Sequence, residues 1–236
     1  METLLDALKN AILLLWNLDP KVLEYAGRSL ITSISSTALA SIIAIPAGVM
    51  LAEYRFPGRR LVVTIVNTLQ GVPTVVIALL VYCFIKRTGP LGSLDMLFTV
   101  KGIILGETLL IIPLITGLTY AAVLRTDRHI RAQAMALGAG PVQTLVTILE
   151  ESRVGILAAV IAGYGRVIGE IGIAMIIGGS ADGFTRTLTT AIALNIDMGM
   201  FEVALALGIL LLILSFTVNI MFQWLQGAAG ARVDSR

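Results

Sequence analysis

The sequence predicts an all-α integral membrane protein with about five transmembrane helices. Composition and charge spacing carry this reading. Of 236 residues, 57% are hydrophobic and 14% charged, and the mean hydropathy is +0.92. Soluble domains carry roughly a quarter charged residues. Residues 29–52, 61–85 and 203–225 hold no charge at all. Each run exceeds the roughly 20 apolar residues that a helix needs to cross a bilayer core of about 30 Å. A segment in hydrocarbon must satisfy its own backbone hydrogen bonds, so these runs are predicted as helices. Three such runs in so short a chain argue against the buried core of a large soluble protein.

Taken in order, the N-terminal segment 1–27 reads as extracytoplasmic. Glu2 and Asp6 stand where a cleavable signal would be basic. Leu4, Leu5, Leu8, Ile12, Leu15 and Trp16 recur at helical spacing. That pattern fits an amphipathic helix lying on the membrane or packing against the bundle. Spans follow at 29–53, 61–86, 102–124, 154–178 and 201–226, within a transmembrane domain of 28–226. The third contains one charge, Glu107, and the fourth contains Arg166 and Glu170. Cys83 lies in an apolar run and reads as a small buried residue. A polar, glycine-rich tail, 227–236, is expected to fray.

Loop charges set the orientation. One side holds Arg55, Arg59, Arg60, Arg125, Arg128, Arg131, Arg153, Arg232 and Arg236. The other holds Lys9, Lys21, Arg28, Lys86, Arg87, Lys101 and Arg186. The first side has more basic residues and a tight cluster at 55–60, so it is read as cytoplasmic. The N-terminus is then outside and the C-terminus inside. The net charge of +2 does not suggest nucleic acid as a partner.

The cytoplasmic stretch 125–153 reads as an ordered hairpin. Asp127 suits the N-cap of a short helix running through Leu137. Gly138 suits its left-handed end, and Pro141 the first turn of a second helix. Ordered loops of this kind either touch a partner or simply link spans.

Catalytic motifs do not accompany this pattern. The chain has no GxxxxGK[ST] phosphate loop and no GxSxG elbow, and its one histidine, His129, has no cysteine partner. Chemistry is sought instead inside the spans. Pro46, Pro73 and Pro113 each remove a backbone donor and are expected to bend their helices. Around Pro73 the segment 70–74 reads QGVPT, and Gln70 and Thr74 offer polar groups where backbone is freed. Broken membrane helices are tolerated where they line a cavity or are covered by protein. In the fourth span Arg166 and Glu170 are four apart and able to pair. Intramembrane ionisable residues are functional candidates, and a neutralising pair that fixes packing is the alternative. Gly165 and Gly169 have the spacing that lets helices approach closely.

Residues 132–141 read AQAMALGAGP, with Ile148 ten positions after Gly138. This resembles the EAA loop of permease subunits in binding-protein-dependent ABC importers: Glu-Ala-Ala, three residues, Gly, nine residues, then Ile-x-Leu-Pro. Ala132 and Gln133 depart from Glu and the first Ala, and Glu150 and Glu151 replace Leu-Pro. The segments 71–80, 87–92 and 165–175 are similar to oxyanion permeases. The segment 188–194, LTTAIAL, is similar to tungstate permeases, which also lack the Leu-Pro ending. The resemblance spans about 25–226.

The resemblance implies a type I importer fold in a prokaryotic inner membrane. It also implies a second copy of the chain and a separate ATP-binding subunit that binds ATP and Mg, this chain holding no cofactor. An extracytoplasmic binding protein would deliver the anion. Ala132, Gln133, Ala134, Gly138 and Ala139 would then form the coupling helix that docks on the ATPase. Tungstate is the cargo it favours, with molybdate, sulfate, phosphate or an amino acid as alternatives. Gln70, Pro73, Thr74, Arg166 and Glu170 are the candidate substrate-pathway residues. A stand-alone secondary transporter or channel is a different reading, but the two halves show no convincing repeat.

Overall fold

The computed structural model describes residues 12–13, 20–126 and 128–234, and the side chains of 128, 129, 131 and 225–234 fall outside that description. The expected surface helix over 1–18, apart from Ile12 and Leu13, and the Asp127 cap lie outside the described residues. Among the described residues the chain is helical throughout its regular structure. Its helices are α1 (Pro20–Glu53), α2 (Arg59–Leu69), α3 (Thr74–Ile85), α4 (Val100–Arg125), α5 (Arg128–Ala136), α6 (Pro141–Ile168), α7 (Gly172–Gly178), α8 (Leu188–Asp197) and α9 (Phe201–Asp234).

Among the described residues three helices, α1, α4 and α9, are long and apolar enough to cross a membrane unbroken. Two further spans arise as bent pairs: α2 with α3, bent by 103°, and α6 with α7, bent by 59°. The second and fourth spans predicted from sequence are therefore not single helices. The second breaks at 70–73. The fourth begins at Pro141, inside the expected hairpin, and breaks at Gly169.

Pro46 and Pro113 do not interrupt their helices. The helix does break before Pro73, which stands at the N-cap of α3 with ψ at 132°, after a turn at Gly71 and Val72. The first turns of α1 take up residues 20–27, part of the segment expected outside. At the other end α9 runs to Asp234 where fraying was expected.

The central helix is α4, with 61% of its apolar window buried, against 17% for α9. Much of the Leu, Ile and Phe surface of α9 is therefore left uncovered by its own chain. The main core joins Ala40 and Ala44 of α1, Ala78, Val81 and Ile85 of α3, Leu110, Ile111 and Ile115 of α4, Ala159 and Val167 of α6, and Ile173 and Ile177 of α7. Gly106 makes this density possible. A Cβ there would sit 2.7 Å from Ile173 Cγ2 and 2.8 Å from Ile177 Cδ1, so only glycine lets α4 and α7 approach this closely. Cys83, expected buried, is exposed on the face of α3 opposite Ala78, Val81 and Ile85.

Candidate functional site

The first break is held loosely. Gly71 N–H donates to Thr68 O at 3.1 Å, and Val72 N–H to Leu69 O at 3.3 Å, so the backbone turns over on itself. Gln70 Nε2 donates to Asn67 Oδ1 at 3.2 Å and lies against Gly117 of α4. No side chain of α2 is buried. Its start is fixed by Arg59, whose Nε donates to Leu51 O at 2.6 Å and whose Nη2 donates to Ala52 O at 3.2 Å. The guanidinium also lies over the Tyr120 ring, 5.5 Å from its centroid. Arg59 thus satisfies carbonyls at the end of α1 while tying α2 to α4.

The second break is held by a side chain. Glu170 stands between α6 and α7 and is buried. Its Oε1 accepts Gly172 N–H at 2.9 Å and, more weakly, Ile173 N–H at 3.4 Å. Those are orphan donors at the start of α7, so Glu170 caps the helix whose direction it changes. Its Oε2 accepts Arg166 Nη1 at 3.0 Å. Its backbone carbonyl, freed by the break, accepts Thr189 Oγ1 at 3.0 Å. The expected Arg166–Glu170 pair therefore forms, but across the end of a helix rather than along one face.

The two breaks meet. A Cβ on Gly172 would lie 3.2 Å from Glu170 Oε1 and 3.3 Å from Thr74 Oγ1, so the start of α3 and the capping carboxylate flank one glycine. Thr74, Arg166 and Glu170 are thus brought together, with Pro73 adjacent in the chain. Gln70 sits apart, against α4.

The open face of α6 leads away from this point. Helical spacing puts Gly155, Ala158, Ala162 and Arg166 on one side. A groove of about 750 Å³ runs along it, between Gly155, Ala158, Ala159 and Ala162 of α6 and Leu118, Ala121 and Ala122 of α4. Its far end is formed by Arg125, Thr126, Ile130, Glu151 and Ser152, where the Thr126 and Ser152 hydroxyls bond at 2.7 Å. Gly165 and Gly169, expected to seat a neighbouring helix, face open space: a Cβ at either would meet nothing within 4 Å.

The ends of the molecule differ in character. At the end of the groove, α5 closes in a turn at Gly138, φ 82°. Ala139 N–H donates to Ala134 O, and Gly138 N–H to Met135 O, both at 3.0 Å. These two bonds make a Schellman closure, which requires the left-handed residue that only glycine adopts freely. Ala132, Gln133 and Gly138 are exposed there, as are Leu137 at 88% and Val142 at 74%.

At the opposite end, the start of α1 meets the loop before α8. Asp182 accepts Tyr25 OH at 2.6 Å and Lys21 Nζ at 3.1 Å, and lies 3.5 Å from Arg186 Nη1. The Tyr25 hydrogen bond, then that of Lys21, hold the Asp182 carboxyl down to about 2. Helix α1 has 34 residues, about 51 Å at 1.5 Å per residue, so these two regions lie far apart.

Sequence reasoning missed the groove. Gly155, Ala158, Ala159 and Ala162 recur at three- and four-residue intervals, a signal readable in retrospect. Glu107 is buried between α4 and α1, where Ser36 Oγ donates to it at 2.7 Å. As the only charge of its span it was visible in the sequence, but it faces α1 and not the groove.

Residues 44–230 match the family described as the binding-protein-dependent transport system inner membrane component. The chain belongs to this permease family. It is 34% identical over 226 residues to the tungstate uptake system permease protein TupB of Peptoclostridium acidaminophilum, covering 96% of this chain and 99% of that one. It is 28% identical over 224 residues to the sulfate transport system permease protein CysW of Escherichia coli K12, covering 87% and 77%. Its fold matches a chain from a structure of the MetNI methionine ABC transporter, with a TM-score of 0.73 and 21% identity over 92% of this chain and 97% of that one. The permease is thus a multi-pass inner membrane protein and the non-catalytic, membrane-spanning part of an ABC importer for oxyanions. A binding-protein-dependent system implies an ATPase and a binding protein as its partners.

Proposed function

We propose that this permease imports tungstate. The observation that carries this is the near full-length similarity to a tungstate uptake permease, higher than that to the sulfate permease. The physical setting agrees with a dianion. Thr74 supplies a hydroxyl at the meeting of the breaks, Gln70 an amide set apart from it against α4, and Arg166 a guanidinium that its counter-ion leaves half exposed. Such a site attracts an oxyanion through few charges and so releases it. The anion passes from Gln70, Pro73 and Thr74 to Arg166 and leaves along the small-residue face of α6.

Two copies of the permease enclose the path between them. In this reading the N-terminus is outside and the C-terminus in the cytoplasm, which the excess of loop arginines on one side supports. ATP and Mg are bound and used by the partner subunit, and this chain carries no cofactor. The hairpin of Ala132, Gln133, Ala134, Gly138 and Ala139 is the coupling helix that docks on that subunit. Its exposed Leu137, Met135 and Val142 form an apolar patch suited to a protein partner. Closure of the ATPase pair pushes on α5, and α6 continues without a break from Pro141 to the Arg166–Glu170 pair. A push at the hairpin therefore reaches the second break through one rigid helix.

The test is ATPase activity in proteoliposomes holding the permease and its co-purified ATP-binding subunit. Binding protein is added with tungstate, molybdate, sulfate or nothing. Tungstate-loaded binding protein stimulates hydrolysis most. Stimulation by sulfate alone would reassign the cargo, and stimulation by none would reject the importer reading for this site.

A further inference from the structure

Glu170 spends its two carboxylate oxygens differently. Oε1 is fully used by the start of α7, and Oε2 faces Arg166 alone. The Glu170 side chain is 4% exposed and that of Arg166 43%. The acid is thus inside the protein, and the base projects from it toward the open face of α6. Among the described residues Glu170 is the single partner of Arg166 in hydrogen bonds and ion pairs. A guanidinium has five donors in a fixed fork, and one Oε2 contact leaves most of them unused.

The side chain that carries those donors is 43% exposed, so an anion can reach it. Arg166 follows Ala162 by one turn on the groove face, and Gly165 and Gly169 beside it add no side chain. An isolated Arg in this membrane-embedded setting would be costly, and a fully enclosed pair would be inert. This pair has a neutralised base that still faces open space.

We propose that Glu170 is an internal counter-ion that competes with the transported anion for Arg166. The inference rests on the anion-importer reading and deepens it. Glu170 does not touch the cargo; it is a positioning residue that lowers the affinity of Arg166 for oxyanions, so that the site passes a dianion on rather than holding it. An arriving oxyanion takes up the free donors of Arg166 and draws the guanidinium from Oε2. When the anion leaves toward the groove, Oε2 recaptures it. The cap on α7 persists throughout, because it uses the other oxygen.

Glu170→Gln separates the two tasks. Its Oε1 still accepts Gly172 N–H, whereas the amide nitrogen in place of Oε2 no longer attracts Arg166. Binding of radiolabelled tungstate and molybdate is measured on the permease with its ATP-binding subunit in nanodiscs, without binding protein. Stimulated ATPase is measured on the same preparations with loaded binding protein.

Glu170→Gln is expected to bind the anion about tenfold more tightly than wild type and to turn over about tenfold more slowly at saturating loaded binding protein. Arg166→Gln is expected to bind the anion no better than wild type, and the double variant Arg166→Gln with Glu170→Gln to lose the gain. Assembly with the ATPase confirms that each variant folds. Unchanged or weaker anion binding in Glu170→Gln overturns the counter-ion role, whatever its turnover. Binding gained equally in the double variant overturns the assignment to Arg166. If wild-type ATPase answers to no loaded binding protein, the importer reading itself fails, and that outcome is distinct from either.

Discussion

The two helix breaks reach a similar end by different physics. At 70–73 the backbone is broken by local chain chemistry, a turn at Gly71 and Val72 followed by Pro73 at the N-cap of α3. Val72, which precedes the proline, is held to extended conformations, and the bend is 103°. Nothing charged is needed, and the turn remains exposed. At 169–171 the backbone is broken by something added. Glu170 offers the first donors of α7 a carboxylate, stronger than a neutral cap, and the bend is 59° with the acid buried. A proline break is permanent. At the carboxylate break one oxygen holds the turn while the other pairs with Arg166, so the pair can respond to charge as the turn stays. That contrast assigns the first break a shape role and the second a responsive one.

Removing the acid is the most severe way to break the comparison. Glu170→Ala loses the cap and leaves Arg166 without its counter-ion. Breaking a buried pair costs about 3–5 kcal/mol, and the exposure of Arg166 places this one near 3. Uptake in proteoliposomes is expected to fall about a hundredfold, as misplacement of a site by an ångström can do. The melting point of the purified complex checks the stability loss.

Gly138→Val comes next. It forces a β-branched side chain to φ 82°, at a cost of about 1–2 kcal/mol or more. Stimulated ATPase is expected to fall about tenfold. Both breaks stay intact, so anion binding in nanodiscs is unchanged.

Pro73→Ala should have a smaller effect, about 1 kcal/mol or fivefold in uptake. The alanine restores a donor but not a continuous helix, because Gly71 still favours a turn. An effect as large as that of Glu170→Ala would erase the distinction between the breaks.

The smallest effect concerns Asp182. Its carboxyl is held down to about 2 from an ordinary 3.8, by Tyr25 first and then Lys21. A depressed acid contributes stability above its unfolded value and loses it as pH falls through the folded value. Wild type should therefore outlast Asp182→Asn in thermal melts above about pH 4, and the two should converge near pH 2. A difference unchanged at pH 2 would exclude the ionised carboxylate as its source.

The sequence made the first break legible and the second only partly so. Gly71 and Pro73 together announce a turn, whereas Pro46 and Pro113, which lack the donor equally, lie inside continuous helices. Arg166 and Glu170 announced a pair, since charges in a span stand out against apolar neighbours. Their spacing of four also fits an unbroken helix, and nothing in the composition says that the carboxylate will take the N–H groups of Gly172 and Ile173 instead. The Gly138 turn was readable from glycine and proline chemistry alone. The groove was not, because alanines at helical spacing signal a close helix neighbour as readily as an open face. Which one holds depends on what packs there, and Gly165 and Gly169 turned out to face open space.

Water access along α6 tests the central claim, that the anion travels on this face. Cys83 is replaced by serine, and single cysteines are placed at Ala158, Ala162 and, as a lipid-facing control, Leu212, which is 59% exposed on the apolar α9. The reconstituted complexes are then exposed to a water-soluble, membrane-impermeant thiol reagent from the cytoplasmic side. Labelling at 158 and 162, slowed by tungstate, with none at 212 is the expected result. Labelling at 158 and 162 no faster than at 212 would show that the groove is filled by lipid or protein and would contradict the path.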